Sequence, residues 1–322
     1  MRAIRPMALF LCLSATVPQP AEAENACAPG AGKLGVARTI AIDAAPGPSF
    51  AGKYKSGGLL KPGEVVLTFD DGPLRPVTRP ILEALAAQCT KATFFMLGRM
   101  ALADPAMVKE VAREGHTVAT HTWSHGNLQA LSPEEGEAQI ELGLSAIQQA
   151  LGRPVTPFFR FPYLRDTPAS LDYLRGRHLA IFAIDVDSRD FETRDAAVVN
   201  ERVMKDLEAR GKGIILLHDI HPSTAQALPA LLADLKGRGY KVVHLKAKGG
   251  AATLADYDEA VREEVERRRL AARGHPLAKR SVTWPLGELS PEALAKSKEA
   301  SGLGLQEPSP SDGDWTSNIW RQ

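Results

Sequence analysis

The sequence has little cysteine, almost no net charge and no long apolar run, and each shortage narrows the reading. Three cysteines occur in 322 residues. Cys12 lies in the first apolar stretch, so Cys27 and Cys89 leave room for one disulfide at most. Lys plus Arg (39) nearly balances Asp plus Glu (38), so bulk charge gives no pull toward nucleic acid or an anionic membrane. No segment reaches transmembrane length, and no internal repeat is present.

What is there begins with MRAIRPMALFLCLSATVPQPAEA. Arg2 and Arg5 precede a short apolar core, Met7 to Val17, and Ala21-Glu22-Ala23 follows. That order is a signal peptide over 1–23, with an uncleaved anchor as the alternative. It predicts export, to periplasm or medium, and no membrane contact after cleavage. Export places Cys27 and Cys89 where a disulfide can form, but sequence supplies no Cα separation, so the pairing stays open.

Residues 24–63 are rich in Gly, Pro and Ala and read as an extended arm with one strand near VARTIAID, 36–43. From Glu64 the texture changes. EVVLTF, KATFFML, HTVAT, PFFRF, HLAIFAI, GIILLH and YKVVHL alternate with segments of helical spacing. Ser132-Pro133-Glu134-Glu135 is a helix start with proline at the first helical position. About seven strands alternating with helices predict an α/β fold with a parallel sheet. A closed or nearly closed distorted (β/α) barrel, TIM-like, fits best, because the chemistry-bearing residues fall at strand C-termini. Beyond Leu245, one charged helix and a largely disordered tail are expected over 246–322, the EEVERRR run being a solvated face.

The strand ends carry the chemistry. VVLTFDDGP ends in adjacent carboxylates, Asp70 and Asp71. Such a string is a surface turn unless something relieves the repulsion. HTWSH supplies His121 and His125, four apart, on one face if Thr122 to Ser124 form a helical turn. Two imidazoles and one carboxylate suit zinc and leave positions for water. RFPY ends a strand in Arg160, which either orients a carboxylate or makes a rim salt bridge. DVDSRDF holds Asp185, Asp187 and Asp190, and ILLHD presents His218, a capped core residue or a proton donor.

In this order, TFDDGP, HTWSH, RFPY, DSRDF and LLH resemble the polysaccharide deacetylases of the NodB-like kind, carbohydrate esterase family 4. The resemblance spans roughly residues 64–245, one domain in size. It implies a distorted (β/α) barrel that binds a divalent metal, zinc by its donor set, through Asp71, His121 and His125. Asp70 would be the general base, oriented and kept ionised by Arg160. The Tyr163 N–H would help hold the oxyanion, and Tyr163 would also line the substrate site. His218 would be the general acid, tuned by Asp190. Phe191 stands where the family usually has Trp, and can line the pocket without an indole N–H.

The function so implied is release of acetate from an N-acetylated amino-sugar polymer, peptidoglycan or chitin-like. Its rivals are an O-acetyl xylan esterase, a carbohydrate-binding protein without turnover, and a periplasmic scaffold acting through the tail that carries Trp315 and Trp320.

Overall fold

The computed structural model describes Cys27, residues 32–54 and residues 58–274. The expected signal peptide over 1–23 and the expected disordered tail from 275, with Trp315 and Trp320, lie outside the described residues.

The strands are β1 (Arg38–Ile42), β2 (Ser49–Phe50), β3 (Glu64–Asp70), β4 (Thr93–Met96), β5 (Thr117–Thr120), β6 (Phe158–Phe159), β7 (Ala180–Phe182), β8 (Val186–Asp187), β9 (Gly213–His218) and β10 (Lys241–Ala247). The helices are α1 (Arg75–Ala87), α2 (Gly98–Ala103), α3 (Pro105–Arg113), α4 (Pro133–Leu151), α5 (Pro168–Gly176), α6 (Ala196–Arg210), α7 (Pro222–Gly237) and α8 (Ala255–Gly274).

All ladders are parallel, and they run β8-β9-β3-β4-β5-β6-β7 around a barrel-like sheet. No ladder among the described residues joins β7 to β8, so the barrel is not closed. Instead β2, from the N-terminal arm, pairs with the remaining edge of β7. The arm therefore carries two strands rather than one, since β1 pairs along β10. It is fastened further by a Cys27–Cys89 disulfide, with a Cα–Cα distance of 5.4 Å, and by the Arg38–Glu64 ion pair.

Side-chain alternation along β3 decides where the site forms. Val65, Leu67 and Phe69 join the outer cluster with Ile81, Leu82 and Leu85 of α1. Val66 faces the barrel interior with Phe95, Phe158, Phe182 and Ile214. Thr68 and Asp70 share the phase of Val66 and point inward above it. On β9, Ile215 and Leu217 pack outward and Ile214 inward, which puts His218 on the inner phase too. Register completes the placement, because Asp70 aligns with His218 across β3 and β9.

The outer helices follow the sequence closely. Ser132 and Glu135 form a full capping box at the start of α4, with Pro133 first in the helix. The EEVERRR run departs from a solvated face. Arg267 and Arg268 pair with Glu264, which is itself largely covered, and Tyr257, Ala260, Val261 and Val265 of α8 pack against Leu102, Leu142 and Ala146. The charged helix is amphipathic and docks on α2 and α4.

Candidate active site

Asp70 and Asp71 reach the same cavity because the backbone turns between them. Asp71 has φ 76, a left-handed conformation that rotates its side chain back toward the barrel mouth. Gly72 continues the turn under a clamp from β9, its N–H donating to Asp219 Oδ1 at 3.1 Å.

The segment joining His121 to His125 is a turn, not a turn of α-helix. Thr122 and His125 both have positive φ, at 73 and 64. Gln139 of α4 holds this turn: its carbonyl accepts from Trp123 N–H, and its side-chain oxygen accepts from Ser124 N–H. The rings still converge, with centroids 5.0 Å apart. His121 Nε2 and His125 Nε2 each lie 3.5 Å from Asp71 Oδ1.

These donors fit a divalent cation. Asp71 Oδ1 is buried and has no hydrogen-bond partner. Nitrogen and oxygen ligands 2.0–2.2 Å from a tetrahedral zinc lie about 3.3–3.5 Å from one another. His121 Nδ1–H donates to the Arg160 carbonyl at 2.7 Å, which leaves the Nε2 lone pair facing Asp71. Burial keeps both imidazoles neutral: it lowers His121 to about 3 and holds His125 well below its ordinary value. Burial likewise pushes the Asp71 carboxyl up to about 7, the direction a bound cation reverses.

Arg160 lies wholly inside the barrel, not on its rim. Its Nη1 donates to Asp70 Oδ1 at 2.6 Å and to Thr68 Oγ1 at 2.8 Å. Its Nε donates to the Phe182 carbonyl, and its plane stacks 4.2 Å from the Phe95 ring centre. Burial raises the Asp70 carboxyl and Arg160 opposes that rise. The other oxygen, Asp70 Oδ2, faces His121 at 3.8 Å.

His218 sits across the cavity, its Nε2 4.0 Å from Asp71 Oδ2. Its Nδ1–H donates to Asp190 Oδ1 at 2.6 Å. Asp190 Oδ2 accepts from the His218 backbone N–H and from the Thr224 hydroxyl. Burial disfavours the imidazolium, but Asp190 outweighs it and holds His218 up at about 10. Asp190 itself is buried, and His218 draws its carboxyl down to about 2.

Two exposed aromatics frame the mouth. Tyr163, on the 3-10 turn Pro162–Leu164, packs edge-on to His125 at 4.5 Å. Phe191 meets the His218 ring edge-on at 5.9 Å. Asp70, Asp71, His121, His125, Arg160, Tyr163, Asp190, Phe191 and His218 thus converge at one end of the barrel, with Arg160 and Asp190 buried behind Asp70 and His218, while Cys27 and Cys89 form the disulfide away from them. Asp185 stays outside the site, where it accepts backbone N–H groups of Gly52 and Ile214. Asp187 accepts from Arg189 N–H and stands close enough to His218 and Asp190 to feel their charges. Sequence reasoning missed Thr68, Thr224, Gln139 and Asp219. Only Asp219 carried a signal, as a second polar residue directly after His218 at the end of an apolar strand.

The family profile described as polysaccharide deacetylase matches residues 58–177. A chitooligosaccharide deacetylase of Azorhizobium caulinodans is 34% identical over 195 residues, covering 58% of this chain and 90% of the relative. The chain belongs to the polysaccharide deacetylase family. A peptidoglycan-N-acetylglucosamine deacetylase of Listeria monocytogenes is 36% identical over 180 residues, 56% of this chain. The chain spans 37% of that relative's length. Among solved structures, a Bdellovibrio bacteriovorus peptidoglycan deacetylase superposes with a TM-score of 0.60 at 34% identity. The match covers 66% of this chain and 59% of that one. A family pseudoenzyme from Bacillus anthracis also superposes, with a TM-score of 0.52 at 26% identity, over 57% of this chain and 68% of that one.

Proposed function

We propose that the chain is an exported, metal-dependent hydrolase that removes N-acetyl groups from an amino-sugar polymer, peptidoglycan or chitin-like. The observation that carries this reading is the placement of two separately paired groups, a carboxylate on an arginine and an imidazole on a carboxylate, beside one ligand set. Asp70, paired with Arg160, lies on one side of Asp71, His121 and His125; His218, paired with Asp190, lies on the other. Peptidoglycan and chitooligosaccharide are the substrates named for the relatives.

Asp71, His121 and His125 would hold the cation, and zinc suits two neutral imidazoles with one carboxylate. Such a cation, when bound, supplies a Lewis acid that acidifies water and polarises an acyl carbonyl. The remaining work falls to the chain. Asp70 Oδ2 takes the proton of the attacking water, while Arg160 holds Oδ1 and fixes the carboxylate. The Tyr163 N–H, on the turn that packs against His125, would help hold the developing oxyanion. His218 Nε2–H protonates the departing sugar nitrogen, and Asp190 retains the Nδ1 proton and so fixes the tautomer. The products are acetate and a free amine. Phe191 and Tyr163 offer apolar surface to a sugar ring at the mouth. The leader over 1–23 and the Cys27–Cys89 disulfide support export to an oxidising compartment.

The test is acetate release by the purified chain from chitooligosaccharides, peptidoglycan fragments and acetylated xylan, with zinc, with chelator and with Asp70→Ala. Release from one polymer, lost with chelator and with Asp70→Ala, is the expected result. Release from xylan alone makes the chain an O-acetyl esterase. No release from any, with zinc still bound, makes it a binding protein of the same fold.

A further inference from the structure

His221 has no part in this chemistry, yet it stands beside the proton donor. It occupies the position before α7, its ring centre 5.7 Å from that of His218. Asp190, His218 and His221 each offer one ligand atom within 4.8 Å of the others. They come from three separate anchors: the 3-10 turn Asp190–Glu192, the end of β9 and the start of α7. Burial lowers His221 to about 4, so its ring is neutral and its lone pair available near neutrality. Both imidazoles are partly exposed at the mouth, which gives a cation a way in.

We propose that Asp190, His218 and His221 form a second, weaker site for zinc, filled only when zinc is in excess, and that filling it inhibits the enzyme. The cation takes the place of the proton shared by Asp190 Oδ1 and His218 Nδ1, now 2.6 Å apart, and that proton leaves to solvent. A tetrahedral zinc needs those atoms roughly 3.3 Å apart and His221 drawn toward them, side-chain movements of about an ångström. Asp190 Oδ2 stays anchored by the His218 N–H and Thr224 during this change. With Nδ1 bound to the cation, His218 keeps its Nε2–H only as part of a metal-bound neutral imidazole, a far weaker acid than the imidazolium, so it no longer serves the leaving nitrogen as proton donor. Loss of that proton makes the site the weaker of the two, because a hydrogen-bonded pair must be broken to fill it.

The inhibition rests on His218 being the proton donor of the proposed reaction; the binding does not. Zinc is titrated into the metal-free full chain by calorimetry, and acetate release from an N-acetylated chitooligosaccharide is followed over the same zinc range. The wild type is expected to show two binding steps, with release rising through the first and falling through the second. His221→Asn, whose side chain suits the position before α7, is expected to keep the first step. It should weaken the second by roughly 10–100-fold and abolish the fall. His125→Ala is expected to leave the second step in place while weakening the first. One step only in the wild type, or a second step and a fall that survive His221→Asn, would overturn the proposal. Two steps with no acetate release at any zinc level would uphold the site and count against the deacetylase reading alone.

Discussion

Arg160→Met removes the guanidinium buried against Asp70 and keeps an apolar stem of similar reach. Arg160 is fully buried, and its partners are Asp70, Thr68, the Phe182 carbonyl and the Phe95 face. Leaving a buried carboxylate without its partner costs on the order of 3–5 kcal/mol. Asp70 has an escape, which is to take up a proton and become neutral. Each unit by which its pKa stands above the ambient pH reduces the ionised fraction tenfold, a cost of about 1.4 kcal/mol. Burial already raises Asp70, and loss of the adjacent guanidinium raises it further. Asp70 must be ionised to accept a proton, so the acid limb of kcat/KM moves to higher pH. At neutral pH kcat/KM falls, and it recovers on alkalisation. The assay is acetate release across pH, with thermal melts of the same samples to show that the protein is folded. A folded Arg160→Met protein whose acid limb coincides with the wild type would refute the role assigned to this pair.

Asp190→Asn removes the carboxylate that outweighs burial at His218, which stands at about 10 in its presence. The imidazolium then loses its proton at lower pH, so the alkaline limb of the rate profile moves down, and an unmoved limb would show that Asp190 does not tune the acid. Glu64 stands at about 2 against an ordinary carboxylate near 4.5, held there by Arg38 against the opposing effect of burial. Its contribution to stability is therefore complete above about pH 4.5 and is lost as pH falls toward 2. Arg38 is a third exposed, so solvent weakens the pair, and Glu64→Gln should cost roughly 1–2 kcal/mol at pH 7. The gap in melting temperature between variant and wild type should narrow on acidification.

How far the sequence discloses this protein depends on the length of each signal. β3 and β9 carry uninterrupted apolar or β-branched runs, and their burial is visible as composition. β8, two residues between Asp185 and Ser188, has no such run, and neither has β2. Both exist only because β9 and β7 present open edges to them. The opening between β7 and β8 is a property of pairing between distant segments, which periodicity cannot report. At the site, residue types at strand ends were legible because apolar strands stop there in charge. The backbone that aims them was not. A helical turn in HTWSH would place both imidazoles on one face, and the left-handed Thr122 and His125 reach the same convergence by another route. The amphipathic character of α8 was hidden by its outer charges, since Val261 and Val265 are few among Arg and Glu.

Gly72 shows how a turn residue acquires a second requirement from the other end of the chain. Read locally, Asp-Asp-Gly-Pro needs glycine only for its turn. In the fold, a Cβ on Gly72 would lie 2.1 Å from Asp219 Oδ2 and 2.2 Å from Oδ1. Asp219 has no room to yield. Its Oδ2 accepts from Thr78 at 2.6 Å, its backbone N–H donates to the Asp70 carbonyl at 3.2 Å, and it is fully buried. In Gly72→Ala the loop must move instead, and it carries Asp71 Oδ1 away from the two imidazoles 3.5 Å distant. The expected loss is about 1–3 kcal/mol of stability from overpacking, with zinc affinity weakened roughly 10–100-fold. Asp219→Ala alone should cost about 1–3 kcal/mol by stranding the Gly72 N–H. Combined, the two changes should cost less than their sum, because the vacated carboxylate leaves space for the new methyl group. Melting curves and zinc titrations of the four proteins measure that coupling. Strictly additive losses would mean that clearance against Asp219 is not what requires glycine beside the metal-binding carboxylate.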